Sequence, residues 1–102
     1  MNGEKVLHML GLAKRAGYVK SGSFLSEKAI VSGRAKLFLA PEGNLSRTVQ
    51  EVFDRAKRAG IPCIACGTKE SIGKALGEAE RSCAVVTDEG FASAIRKIAD
   101  QE

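Results

Sequence analysis

Apolar side chains return every three or four positions through Val6, Met9, Leu10 and Ala13. That is the spacing of one helical face, and it predicts a helix over residues 4 to 16. The pattern stops on the pentapeptide AKRAG, which occupies residues 13–17 and recurs at residues 56–60. Lys and Arg in a last helical turn sit beside the negative end of the helix dipole, and the next residue, glycine, is free to take the left-handed turn that closes the last carbonyls. Both copies therefore read as helix stops. The segments after them differ: YVKSG comes after the first copy and IPCIACG after the second.

YVKSG is a short extended piece. SFLSEKAIVSG predicts a second helix, with Ser23 as its N-cap and Gly33 as its stop. AKLFLAP, apolar and ended by Pro41, predicts a buried strand. In GNLSRTVQEVFDRAKRAG, Val49, Val52, Phe53, Ala56 and Ala59 share one stripe, which predicts a third helix. IPCIACG predicts a second buried strand, TKESIGKALG a short helix ended by Gly77, and SCAVVT a third strand. DEGFASAIRKIAD predicts a last helix, with acids at its start and Arg96 and Lys97 near its end as the dipole favours. Helices that alternate with short buried strands predict an α/β sandwich, a small sheet covered by helices on both faces.

With no low-complexity segment and no Pro/Ser-rich linker, the 102 residues and 10.8 kDa predict one domain, residues 1–102. A chain of this size buries roughly two thirds of the surface its unfolded form exposes. An apolar share of 44% is too high for disorder, and no uninterrupted apolar run approaches the ~18 residues of a membrane span. The opening MNGEKVLHML resembles neither a secretory signal nor a transit peptide, so a cytoplasmic protein with no membrane partner is expected. Three cysteines, an odd number, make no disulfide framework, and reduced thiols are expected. The net charge of +4 is unevenly spread: residues 1–40 hold seven Lys or Arg against two Glu, whereas residues 41–102 hold nine against ten acids. The basic first two fifths favour a polyanionic partner.

Catalytic constellations are weak. Cys63 and Cys66 have the C-x-x-C spacing of redox and zinc sites, but on a strand residues three apart point to opposite faces. No second cysteine pair and no nearby histidine completes a four-ligand set, so structural thiols are expected. His8, the one histidine, has no Ser, Asp or Cys partner at a diagnostic spacing. GTKESIGKA resembles a phosphate-binding P-loop faintly, with five residues between its glycines where four are needed and Ala75 where a hydroxyl must reach magnesium. The sequence therefore predicts no catalytic residue, no metal and no cofactor.

The remaining candidate is KRAGYVKSGSFLSEKAIVSGRAK. After the first AKRAG the chain turns at Ser21 and Gly22 and enters a helix whose free N–H groups can hold a phosphate. Lys20 precedes the turn and Lys28 comes after it, with Lys14, Arg15, Arg34 and Lys36 as a wider cationic border. Gly22 permits close approach of a nucleic-acid backbone, and Phe24 or Tyr18 is placed to stack on an unpaired base. An equally open reading of the same residues is a capped helix with a solvated lysine and a core phenylalanine.

The segments LGLAKRAGYVKSG, KAIVSGRAKLFLAPE, GIPCI, IGKALGEA and AVVTDEGFA, together spanning roughly His8 to Ala99, resemble the ribosomal-protein superfamily that binds kink-turn RNA, the L-seven-Ae and L-thirty-e type. Within it the chain is similar to the small bacterial YlxQ-type proteins. The resemblance implies a three-layer α/β/α sandwich with a small mixed sheet of about four strands and no enzymatic activity. It implies structured RNA, ribosomal or kink-turn-like, held by the start of the second helix and a loop before the last strand.

The family signature G-x-N-E-x-x-K falls on residues 22–28, where Gly22 and Lys28 match while Phe24 and Leu25 stand at the Asn and Glu positions. Those two side chains neither donate nor accept the base-edge hydrogen bonds, each bidentate contact being worth about 1–3 kcal/mol by analogy with direct readout in DNA. The second family element falls on GEAERS, where Glu78 and Glu80 face a polyanion and Arg81 offsets them in part. The implied RNA-binding set is Lys20, Gly22, Ser23, Phe24, Lys28, Arg34, Lys36 and Arg81. The alternative is a protein–protein interaction module on the same fold, with a partner in the translation or transcription machinery, docking on Phe24 and Leu25.

Overall fold

The computed structural model describes residues 2–101. The elements run α1 (Gly3–Arg15), β1 (Val19–Ser21), α2 (Ser23–Val31), β2 (Leu37–Ala40), α3 (Arg47–Arg58), β3 (Cys63–Ala65), α4 (Lys69–Ala75), β4 (Ala84–Val86) and α5 (Glu89–Asp100). The four strands form one sheet in the order β1-β4-β2-β3, antiparallel except for the parallel β2–β3 pair. The mixed sheet and its flanking helices match the expected sandwich.

Strand β2 shows how the layers are built. All four of its residues are buried, and alternate side chains leave on opposite faces. Leu37 and Leu39 join Val6, Leu10, Ile72, Val86 and Ile95 in a core under α1, α4 and α5. Phe38 and Ala40 join Ile30, Val49, Val52 and Val85 under α2 and α3. A continuous apolar run is what a strand covered on both faces requires. No helix among the described residues is long and apolar enough to cross a membrane.

Both AKRAG copies close a helix in the same way. The amide of Tyr18 donates to Ala13 O and that of Ile61 to Ala56 O, at 2.9 and 3.0 Å, while Gly17 and Gly60 take positive φ. This is the Schellman closure the sequence predicts. Ala59, expected on the α3 stripe, is exposed because it is the C-cap, past the turns that pack.

YVKSG is the extended piece expected, and its Val19–Ser21 part forms β1 at the edge of the sheet beside β4. Two further expectations are corrected. IPCIACG is less buried than its composition suggests, because β3 is the opposite edge and pairs on one side only. Residues 43–46 belong to a loop, and α3 begins at Arg47 with Ser46 as its cap, its side chain accepting from the Val49 amide at 3.3 Å.

Candidate nucleic-acid interface

Strand β1 and helix α2 are joined by the single residue Gly22. Its amide donates to Cys83 O at 2.8 Å, continuing the β1–β4 ladder to the last position before the helix. Its φ of 87° and ψ of 159° lie in a region essentially reserved for glycine, and the turn from strand to helix depends on that conformation. Gly22 is also the N-cap, in place of the expected Ser23, which is already helical.

A glycine cap has no side chain to offer. Helices α1, α3, α4 and α5 start on Asn2, Ser46, Thr68 and Asp88, each accepting a first-turn amide, whereas α2 has no side-chain cap. The first-turn amides of α2 thus face outward at the positive end of the helix dipole, the arrangement that suits a phosphate.

Residues 21–23 form one wall of an open groove of about 750 Å³. Asn44, Leu45 and Ser46 before α3, Thr68 and Lys69 at the start of α4, and Glu80–Ser82 before β4 complete it, so three helix starts converge there. Arg81 is fixed in this wall. Its Nε donates to Ser21 Oγ at 3.1 Å, its Nη1 to Glu80 O at 2.8 Å, and its Nη2 pairs with Glu78 at 3.1 Å. The groove itself is not basic: Glu42, Glu70 and Glu80 line it beside Lys69 and Arg81, and Lys69 is paired with Glu80 at 3.8 Å.

The free cations lie outside the groove. Lys20 is opposite Val85 in the ladder, and Val85 belongs to the core under α2, so Lys20 leaves the edge strand on the α2 side. Lys28 is exposed on α2, one turn beyond Phe24 on the face opposite the buried Ser26, Ala29 and Ile30. Phe24 is 78% and Leu25 44% exposed, so the core-phenylalanine reading fails. Arg34 and Lys36 lie past the far end of α2, beyond about 12 Å of helix. The structure thus gathers Gly22, Ser23 and Arg81 at the groove and Lys20, Phe24 and Lys28 beside it, with Arg34 and Lys36 continuing along α2.

Tyr18 does not join them. It immediately precedes β1, at the end away from Gly22, and its ring packs 6.1 Å from that of Phe91. The groove residues 44–46 and 68–69 do not stand out in the sequence; the turn-forming PEGNLS and the Thr68 cap were the available signals.

The two C-x-x-C thiols face opposite sides of the sheet. Cys63 packs under α3, its Sγ donating to Ile61 O at 3.3 Å, and Cys66 is buried under α1, its Sγ 3.7 Å from Gly3 O. Burial pushes both thiols up, Lys57 opposing it at Cys63 and Glu42 adding to it at Cys66. Raised thiols are poor nucleophiles and poor metal ligands at neutral pH. Among the described residues no group of three or more His, Cys, Asp or Glu side chains gathers as a metal site.

The P-loop look-alike has a packing explanation. Thr68 and Ser71 form a reciprocal capping box that occupies the start of α4. A Cβ on Gly73 would lie 2.5 Å from Glu80 Cα, so this glycine is where α4 meets the loop after it.

The chain is a small α/β/α sandwich with an open, glycine-capped second helix beside an edge strand that carries Lys20. No family model matches the chain. It is 35% identical over 100 residues to the RNA-binding protein YlxQ of Bacillus subtilis, covering 98% of this chain and 100% of that one. It is 26% identical over 97 residues to the RNA-binding protein YlxQ of Enterococcus faecium, covering 95% and 93%. A Bacillus halodurans protein of unknown function superposes with a TM-score of 0.87 at 29% identity, covering 95% of this chain and 98% of that one. The Giardia lamblia 15.5kD RNA binding protein shares the fold, with a TM-score of 0.75, 17% identity and coverage of 92% and 83%. The chain belongs to the YlxQ family.

Proposed function

We propose that the protein is a non-enzymatic, cytoplasmic RNA-binding protein that holds the backbone of structured RNA, ribosomal or kink-turn-like, at the start of α2. The observation that carries this reading is the charge state of residues 15–36. Arg15, Lys20, Lys28, Arg34 and Lys36 are exposed and, among the described residues, have no carboxylate partner. The one acid in that stretch, Glu27, is turned to Arg55 at 3.9 Å. Phosphates meet the uncapped amides of α2 and the cations around them. Arg81 joins from the α4–β4 loop, and Arg34 and Lys36 extend the contact along the helix. That the Bacillus subtilis and Enterococcus faecium relatives are RNA-binding proteins supports it.

Binding to kink-turn, hairpin and ribosomal RNA fragments, measured across salt concentrations, tests the reading. Neutralising three to five phosphates gives log K against log salt a slope of roughly −2 to −4. Absence of binding to all three at low salt removes it. The exposure of Phe24 and Leu25 favours a second reading, a module docking a protein of the translation or transcription machinery on the same face. RNA-free complexes lost on Phe24→Ala would select that reading.

A further inference from the structure

Four large apolar side chains are exposed among the described residues, and three of them, Phe24 at 78%, Leu25 at 44% and Val31 at 65%, are on α2. The other three phenylalanines are in ring pairs: Phe38 with Phe53 at 5.7 Å and Phe91 with Tyr18 at 6.1 Å. Phe24 has no such partner. It stands at the second residue of the uncapped helix, and Lys28 is its neighbour one turn on, about 5–6 Å away at the Cβ atoms. Phe24 carries no donor or acceptor, so whatever it meets is recognised by shape and face.

We propose that this outer face of α2 takes an unpaired nucleotide of the bound RNA, the base stacked on the Phe24 ring and the adjacent phosphate on Lys28. The inference rests on the RNA-binding reading and adds the element that the site selects. Regular duplex hides its base faces within the stack, whereas a bulged or looped-out nucleotide presents one, and aromatic stacking accepts any of the bases. Charge disfavours a second copy of this chain as occupant. A symmetric contact centred on Lys28 would set it against its own copy, and the only acid of α2, Glu27, is directed to Arg55. A polyanion with planar apolar units satisfies the cations and the ring together.

Two RNA hairpins with the same stem test this, one fully paired and one with a three-nucleotide bulge containing 2-aminopurine. Binding is measured for the wild type, Phe24→Ala, Phe24→Trp and Lys28→Ala. The Phe24 side chain is so exposed that its removal opens no cavity. The inference expects tighter binding of the bulged hairpin and quenching of 2-aminopurine. Phe24→Ala should lose about 5- to 150-fold on that hairpin alone, from one lost stacking contact. Phe24→Trp should retain binding and quenching, while Lys28→Ala should weaken both hairpins.

If Phe24→Ala binds the bulged hairpin as tightly as the wild type while Lys28→Ala weakens both, the stacking inference is overturned and the RNA-binding reading stands. If the wild type binds neither hairpin at low salt, both are overturned. A dimer of the free protein, or an RNA-free complex with another protein, that is abolished by Phe24→Ala gives the face to a different occupant and also overturns the inference.

Discussion

Arg81 Nε donates a 3.1 Å hydrogen bond to Ser21 Oγ, tying the loop before β4 to the residue that precedes the glycine cap of α2. The same guanidinium is paired with Glu78, whose other oxygen lies 3.8 Å from Lys14. One carboxylate therefore holds two cations next to a surface that otherwise favours an anion. Glu78→Gln is expected to raise RNA affinity and to steepen the log K against log salt slope by about 1 for each cation that it releases onto a phosphate. Arg81→Ala is expected to weaken binding and to cost about 0.5–1.5 kcal/mol of stability through the lost hydrogen bond. Salt titrations and denaturant melts measure the two effects separately.

Gly22 meets no atom within 4 Å of an added Cβ, so any cost of substitution lies in its backbone. Gly22→Ala should destabilise the fold by about 1–3 kcal/mol, the strain of a non-glycine residue at that φ and ψ. It should also reduce RNA binding, because relief of the strain re-aims the first amides of α2. Thermal melts beside binding isotherms of the variant check both.

Gly73 presents the opposite case. Its φ is ordinary, but an added Cβ would lie 2.5 Å from Glu80 Cα and 2.8 Å from Ala79 O, both main-chain atoms that no rotamer change can remove. Gly73→Ala should cost about 1–3 kcal/mol by overpacking. Since the displaced loop carries Arg81, the variant should weaken RNA binding as well. Gly77→Ala, which meets nothing but has a φ of +74°, should lower stability without that steric push on residues 79–80. Denaturant melts and binding to one structured RNA compare the two variants.

The fold was legible where a pattern is local. The 3.6-residue stripe of α1, the LFLA run of β2 and the two AKRAG stops each carry their cause within a few residues. Edge and centre were not legible, because IPCIACG and LFLA have similar compositions and only the strand order separates a half-covered β3 from a fully covered β2. Ser23 has the side-chain chemistry of a cap, yet the cap is Gly22, because only glycine makes the strand-to-helix turn there. At the site, the basic excess and the glycine were readable, but the division of the cations was not. Which cations are free and which are held by Glu27, Glu78 or Glu80 depends on contacts that cross the fold.

Burial pushes the Cys83 thiol up from its ordinary 9.0, against the smaller opposing effect of hydrogen bonds with Ser26 and Ser82. A thiol raised in the folded state supports the fold fully below the unfolded value, and that support is lost as pH climbs from there through the folded value. Cys83→Ala should cost about 1 kcal/mol at neutral pH, the scale of a small buried group removed. The gap to the wild type should narrow as pH rises above 9.0. Melting curves of the two proteins across alkaline pH check the sign, and a gap that widens would contradict it.

Amide chemical shifts of the labelled protein, tracked as a structured RNA is added at low salt, test the interface most directly. The account predicts that the largest changes fall on residues 20–28, with a second group at residues 80–83. Changes concentrated on α1 and α5, with the start of α2 silent, would contradict it.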